Sequence, residues 1–415
     1  MEKAIIIGLN LNNNPEFQDS MIELENLAKA CHIKIQDKIT QNKDTPSIKY
    51  YIGEGKVEEL KDLINLYEPD LVIFNDELSP SQIRNLEEAL EIKVIDRTVL
   101  ILDIFARRAK TTEAKLQVEL AQSEYMLPRI IGMNKSLSRQ RSGTGSKGPG
   151  EQKLELNRRL LRNKITKLKK DLKSIVEIRR HQRKNRKSTN IPIVALTGYT
   201  NSGKSTLMNA IIDYSTHHDE SYAFRKNMLF ATLETKTKKI TLDNLKNFLL
   251  TDTVGFIKKL PHNLIEAFKS TLEEISEADL LIHVIDVSNK NYDSQIKTVK
   301  NVLKEINADN IPVIYVYNKI DLIDNLPIVE TENSIFISAE KQINIDKLLE
   351  LINIKIEQKS TEIELLLPFD KGDIYSSFKD NKSIIFSKYE NKGIRIRVKL
   401  SEKEINQYKE FIIKK

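Results

Sequence analysis

A stretch in the middle of the chain, Gly198-Tyr199-Thr200-Asn201-Ser202-Gly203-Lys204-Ser205-Thr206, has the spacing G-x-x-x-x-G-K-[ST]. That spacing wraps nucleotide phosphates between a buried strand and a helix N-terminus. Its glycines let main-chain N–H groups turn inward onto phosphate oxygens, where a bulkier residue would clash. Lys204 can reach the β- and γ-phosphates, and the Ser205 hydroxyl can ligate Mg²⁺. The apolar run 193–196 before the loop and the helix-like 206–212 after it supply the strand and helix that it needs.

The base is selected further along. Asn318-Lys319-Ile320-Asp321 follows the apolar run 313–317, which places it at the carboxyl end of a parallel strand, where open α/β sheets bind ligands. A carboxylate at Asp321 can accept from both N1–H and the 2-amino group of guanine. Adenine carries an acceptor at N1 and no 2-amino group, so it would leave that carboxylate unpaired at a cost of a few kcal/mol. Ser338-Ala339-Glu340, after 334–337, has the form of a main-chain loop supporting the base from its other side. An isolated N-K-x-D is a common accident in a Lys- and Asn-rich chain, but this one follows a strand and comes in the right order. The ligand expected is GTP or GDP, not ATP.

Between the two lies Asp252-Thr253-Val254-Gly255. Asp252 would hold Mg²⁺ through a water, and the Gly255 N–H would sense the γ-phosphate. The segment Phe230-Ala231-Thr232-Leu233-Glu234 offers a threonine to the same metal, although Thr235 and Thr237 are alternatives that spacing alone cannot separate. The candidate metal ligands are therefore Ser205, Thr232 and Asp252, and the candidate catalytic residues Lys204, Thr232 and Gly255. Loops that order around a γ-phosphate and relax after hydrolysis make a switch. Phe256 stands where Ras-like proteins place the glutamine that orients the attacking water. Phenylalanine has no carboxamide, so unaided hydrolysis should be slow. His262 is a conceivable substitute, though a histidine there more often caps or packs.

The 415-residue chain is long enough for two to four domains. It has no run of 18 apolar residues and no basic-then-apolar leader at Met1, so neither membrane insertion nor secretion is expected. A single cysteine, Cys31, excludes an internal disulfide and a Cys-based metal cluster, and a reducing cytoplasm follows as the expected location. The net charge of +7 is unevenly spread. Residues 129–190 hold 20 Lys or Arg and 4 Asp or Glu, a balance of +16 that leaves the rest of the chain at −9. So concentrated a charge is a footprint for a polyanion, the plain alternative being a solvated helix surface.

In chain order, residues 1–105 alternate strand and helix patterns and read as a small α/β domain with a mainly parallel sheet. Strands are expected at 4–7, 33–35, 71–74 and 94–95, with helices over 17–31, 55–67 and 81–90. Gly53-Glu54-Gly55-Lys56 looks faintly like a phosphate loop but reads better as a turn and helix start. Residues 106–190 read as a helical hairpin. Ala114, Val118, Ala121 and Tyr125 form one apolar seam, and Leu161, Ile165, Leu168, Leu172 and Ile175 repeat a coiled-coil-like step. The connector between them is glycine-rich, basic and without acids. Arg139, Arg141, Gly143, Gly145, Lys147, Gly148 and Gly150 are its candidate RNA contacts, since glycine admits close approach and Arg and Lys pair with phosphates. Residues 191–358 read as a P-loop NTPase domain. Residues 359–415 read as a small α+β domain with strands at 362–368 and 393–400 and a closing helix over 402–413.

With these residues in view, the chain resembles the HflX family of translational GTPases from its N-terminal domain through the GTPase domain. The resemblance is carried by 76–82 with 84–87, Asp96-Arg97-Thr98, 102–106, 112–122, Leu127-Pro128-Arg129, Gly148-Pro149-Gly150-Glu151, Phe230-Ala231-Thr232-Leu233, 252–257 and Leu260-Pro261-His262. It implies a GTPase that binds the large ribosomal subunit and separates stalled, idle or stress-damaged ribosomes into subunits. It also implies a hairpin tip directed at ribosomal RNA near the peptidyl transferase centre. The same resemblance places Thr232 on the metal and makes Phe256 normal for a class lacking the glutamine. Arg141-Ser142 and Glu151-Gln152-Lys153 depart from the family pattern, and the last 55 residues match it only weakly. The expectation is a cytoplasmic, partly ribosome-associated monomer with Mg²⁺ as cofactor. The alternatives are a large-subunit assembly GTPase and a constitutive RNA-binding module whose nucleotide site is only structural.

Overall fold

The computed structural model describes residues 1–130, 149–187, 191–215, 236–242, 246–259, 269–323, 331–358, 360–380, 384–401, 405 and 407–413. The chain divides into two units. The first holds Met1–Val176 with a returning stretch that begins at Ile257; the second holds the segment ending at Phe256 and resumes at Ser270.

In the first unit, β1 (Lys3–Leu11), β2 (Lys34–Lys43), β3 (Leu71–Phe74) and β4 (Lys93–Asp96) form a parallel sheet in the order β2-β1-β3-β4. The crossovers are α1 (Phe17–Ala30), α2 (Glu54–Tyr67) and α3 (Pro80–Leu90). β1 and β2 run longer than their apolar runs because polar residues continue the ladder beyond the buried centre. Helix α3 starts as its sequence dictates. Ser79 accepts from the Gln82 N–H, Gln82 reaches back to the Ser79 N–H, and Pro80 fills the first turn. Such a box is worth about 1 kcal/mol. Gly53 precedes α2 in extended conformation and Lys56 pairs with Glu59, so this stretch is a plain helix start.

Helix α4 (Arg97–Arg108), not anticipated from the sequence, leads into α5 (Thr112–Ile130) and α6 (Pro149–Lys187). The expected seam of α5 is buried: Ala114, Val118, Ala121 and Tyr125 are all inaccessible. It is not, however, the face that meets α6. That contact is made by Leu116, Leu120 and Leu127 of α5 with Leu161, Ile165, Leu168 and Leu172 of α6. α5 therefore buries two faces, and its foot is fixed to the sheet by Arg129. That guanidinium lies over the Tyr125 ring, donates to Leu78 O at 2.9 Å and sits 3.5 Å from buried Asp96. Asp96 also caps α4 through the Val99 N–H. Burial raises its carboxyl pKa, against the pull of its hydrogen bonds and Arg129. The connector residues Arg139, Arg141, Gly143, Gly145, Lys147 and Gly148 lie outside the described residues, and Gly150 falls in the first turn of α6.

In the second unit a sheet of order β10-β9-β8-β5-β7-β6 carries the motifs. β5 (Ile193–Gly198), β7 (Phe248–Asp252), β8 (Leu280–Asp286), β9 (Val313–Asn318) and β10 (Ser334–Phe336) are parallel, and β6 (Lys236–Ile240) is an antiparallel edge. Helices α7 (Lys204–Asp213), α8 (Lys269–Ser276), α9 (Tyr292–Glu305) and α10 (Ile345–Gln358) accompany it, and Leu207, Ile211, Leu348 and Ile352 share its core. Beyond α10, β11 (Ser360–Leu367), β12 (Ile384–Glu390) and β13 (Gly393–Ser401) form an antiparallel sheet of order β11-β13-β12 with α11 (Gly372–Asp380). The closing helix expected over 402–413 does not extend that far. The chain makes a 3-10 turn at Lys409–Phe411, then Ile412 bridges to Leu365 and the Ile413 N–H donates to Glu364 O. Ile405, Phe411 and Ile412 gain more by packing on this sheet's core than by prolonging a helix.

Candidate nucleotide and magnesium site

The loop between β5 and α7 begins at Gly198 and delivers Lys204 to the first turn of α7. Gly203 has φ +96°, and a Cβ there would collide with the Asn318 amide, so only glycine fits. Asn201 is exposed at φ +61°, Ser202 is buried, and Ser205 and Thr206 follow on the helix half-buried. The Thr200 and Ser202 hydroxyls are buried without a hydrogen-bond partner. Orphaned donors are costly unless something accepts from them, and in a loop of this shape phosphate oxygens are the fitting acceptors.

Lys204 is 6% exposed, and its ammonium donates to Gly198 O at 3.2 Å and Tyr199 O at 2.8 Å. Burial pulls its pKa down to about 8, with the Asp252 charge opposing. A buried cation held only by carbonyls gains from any anion brought within reach. At the end of β7, Asp252 is fully buried and its Oδ2 accepts from the Ser205 hydroxyl at 2.7 Å. A carboxylate and a hydroxyl so placed suit Mg²⁺, which uses few protein ligands and takes the rest from phosphates and water. Among the described residues no group of three or more His, Cys, Asp or Glu could hold a metal by itself. Thr232 and its neighbours Phe230, Ala231, Leu233 and Glu234 lie outside the described residues, as do Thr235 and His262. Thr237 sits on β6 with its hydroxyl 3.0 Å from that of Thr251.

The residues after Asp252 lie on the phosphate loop itself. Thr253 gives its hydroxyl to Leu196 O at 2.6 Å, so this side chain fastens β7 to β5, and Val254 is buried. A Cβ at Gly255 would stand 2.9 Å from Thr200 Cα and 3.0 Å from the Lys204 ammonium, an approach that only glycine allows. Phe256 is 2% exposed, and its main chain bridges to the loop: its N–H donates to Gly198 O at 3.1 Å and its carbonyl accepts from Thr200 N–H at 2.7 Å. This bridge was not visible in the sequence, because main-chain contacts leave no residue signature.

At the base end, Asn318 ties the site together. Its amide donates to Ser202 O at 2.9 Å and accepts from the Ala339 N–H at 3.0 Å. Lys319, at φ +69°, pairs with Asp286 at 2.5 Å. Asp286 was missed; its signal is an acid at the carboxyl end of the apolar run 280–285. Ile320 and Asp321 form a 3-10 turn, and Asp321 Oδ1 accepts from the Ser338 hydroxyl at 2.6 Å. Asp321 and Glu340 are exposed. The guanine preference argued from a buried carboxylate therefore operates only once a base covers Asp321.

Three family models cover most of the chain: "GTP-binding GTPase N-terminal" over residues 18–106, "GTP-binding GTPase Middle Region" over 108–186 and "50S ribosome-binding GTPase" over 193–319. A GTPase HflX from Caldanaerobacter subterraneus is 44% identical over 412 residues, spanning 99% of this chain and 94% of its own. The chain belongs to the HflX family of GTPases. The GTPase HflX of Escherichia coli (strain K12) is 38% identical over 91% of this chain and 88% of its own. A solved GTP-binding protein from Sulfolobus solfataricus, in complex with GDP, is 27% identical over 86% of this chain, with a TM-score of 0.44. Among the described residues no helix is long and apolar enough to cross a membrane.

Proposed function

We propose that this HflX-family GTPase hydrolyses GTP on the large ribosomal subunit and separates stalled, idle or stress-damaged ribosomes into subunits, with the ribosome stimulating hydrolysis. The observation that carries the reading is the gathering of Lys204, Ser205, Asp252 and Gly255 about the phosphate loop, with Asn318 tied to that loop through Ser202 O and Asp321 held by Ser338. The match of residues 193–319 to a 50S ribosome-binding GTPase and the +16 balance over 129–190 support the choice of partner.

In this reading Lys204 turns from the Gly198 and Tyr199 carbonyls to the β- and γ-phosphates, and the Thr200 and Ser202 hydroxyls gain acceptors. Ser205, Thr232 and, through a water, Asp252 would hold Mg²⁺, which when bound would neutralise charge on the phosphate oxygens. Gly255 offers its N–H to the γ-phosphate, and Asp321 accepts from guanine. Phe256 has no group to orient water, so the chain lacks part of the hydrolytic machinery and depends on its partner for it. The connector 132–150 is the RNA contact, and the four segments 1–105, 106–190, 191–358 and 359–415 are its working domains.

Purified ribosomes should raise GTP turnover by a factor of about 100 or more, roughly 2.7 kcal/mol of barrier. Light scattering of intact ribosomes should fall when protein and GTP are added and hold steady with Lys204→Ala. Turnover unaffected by ribosomes would remove the stimulation. Stimulated turnover with unchanged scattering would move the function to large-subunit assembly. RNA affinity equal with GDP and a GTP analogue would make the chain a constitutive binder.

A further inference from the structure

Within the nucleotide-binding sheet, the ends of two strands hold a carboxylate that no motif accounts for. Asp286 is the last residue of β8 and lies in register with Asn318, the last residue of β9. The Val287 N–H then donates to Asn318 O at 3.1 Å, so the strands are tied together where they stop. Both carboxylate oxygens of Asp286 are engaged. One accepts from the Ser288 N–H at 3.0 Å and also from the Ser288 hydroxyl, while the other meets the Lys319 ammonium at 2.5 Å. The side chains of Asp286 and Lys319 are 16% and 21% exposed, which withdraws the pair from water more than an open surface ion pair.

The main chain of Lys319 is unusual as well. Its φ of +69° is left-handed, a conformation that glycine and asparagine reach easily and a residue with a long side chain seldom takes. That conformation has a use here. The 3-10 turn Ile320–Leu322 starts from Lys319, and the turn carries Asp321. On its other side the turn leans on the segment after β10: the Ile320 N–H donates to Ile337 O at 3.3 Å, and Asp321 accepts from the Ser338 hydroxyl. A glycine at 319 would enter the left-handed region without strain, but nothing would keep it there. A lysine tied by its ammonium to a fixed carboxylate gives up that pair when it leaves.

We propose that Asp286, oriented by Ser288, is a positioning residue for guanine recognition: it holds Lys319 in the left-handed conformation from which the turn bearing Asp321 starts. Asp286 acts through Lys319 and not on the nucleotide. When the pair is lost, Lys319 relaxes, and Asp321 no longer meets guanine N1–H and the 2-amino group together. This rests on the reading of Asp321 as the acceptor for guanine.

The test measures, on the full chain, affinities for GDP and for inosine diphosphate, whose base lacks only the 2-amino group. In Asp286→Asn, GDP affinity should fall about three- to tenfold, and the preference for GDP over inosine diphosphate should shrink, since the inosine base has one donor fewer to lose. Ser288→Ala should act in the same direction and more weakly, because the main-chain N–H at 288 still holds the carboxylate. Lys319→Asn reaches the left-handed region without a partner. Adding Asp286→Asn to it should change affinity and preference by less than about twofold, as expected when one residue acts only through the other. A merely structural Asp286 would lower the urea midpoint and leave the preference alone. An unchanged preference in Asp286→Asn, or losses that add in the double variant, overturns the proposal. If Asp321→Asn keeps the wild-type preference, the reading of the site fails first and takes the proposal with it, so the two failures are told apart.

Discussion

At Asp321 selectivity reduces to donors and acceptors. The Ser338 hydroxyl and the 3-10 turn hold an exposed carboxylate, which in the proposed reading accepts from guanine N1–H and the 2-amino group. Asp321→Asn keeps the shape and puts an amide donor against those donors. GTP affinity should fall by about 100-fold, roughly 3 kcal/mol, while xanthosine triphosphate, with an oxygen at C2, should bind better than GTP. Competition between the two nucleotides measures this, and GTP still preferred by the variant would end the guanine argument. Lys204, Ser205, Asp252, Asn318 and Asp321 could be picked out because they come in short strings at the ends of apolar runs. Asp286 and the main chain of Phe256 were not, since one acts across two strands and the other through atoms common to every residue. Thr253 was legible as part of its string but not in its role, because only the neighbouring strand supplies the Leu196 carbonyl that takes its hydroxyl.

At the scale of elements, the buried strands could be read because apolar runs bounded by polar residues have few other uses. β6, with the sequence Lys-Thr-Lys-Lys-Ile, carries no such run and exists because β7 offers it an edge. The two faces of α5 were half-legible: its small-residue seam was clear, while the leucines that meet α6 were not assigned to a second surface. β8 carries a testable feature that no motif announces. His283 is 2% exposed, its ring 5.6 Å from that of Tyr315, and burial foremost pulls its pKa down to about 3. A histidine ordinarily titrates near 6.5, so between there and pH 3 the unfolded chain binds the proton and the folded one does not. Stability is therefore fully present above about pH 6.5 and falls as pH drops below it, by about 1.4 kcal/mol per pH unit from this residue. His283→Gln should remove that slope between about pH 6.5 and 5, where few carboxylates yet titrate. Urea midpoints of both proteins across that range would show it, and parallel curves would mean that His283 is protonated in the folded state.

At the scale of the molecule, the N-terminal sheet and the nucleotide-binding sheet have separate hydrophobic cores, one built around Ile5, Val72 and Phe74 and the other around Leu196, Ile211 and Ile314. Two cores in one chain seldom melt as one. The chain's one cysteine gives access to the first of them alone. Cys31 is 3% exposed, and its thiol donates to Leu100 O at 3.6 Å. Burial first, and then the Asp103 carboxylate, push its pKa up to about 12. At pH 8 almost no thiolate is present and no reagent can reach it, so labelling requires the N-terminal core to open. GDP at about 100 times its Kd should stabilise the nucleotide-binding core by about 2.7 kcal/mol and do nothing directly for the other. In a urea series the Cys31 labelling midpoint should stay where it is when GDP is added, while a second transition, followed by nucleotide release, moves to higher urea. If both midpoints coincide and move together, the cores unfold as a single cooperative body, and ligand binding at the phosphate loop then protects Cys31 as well.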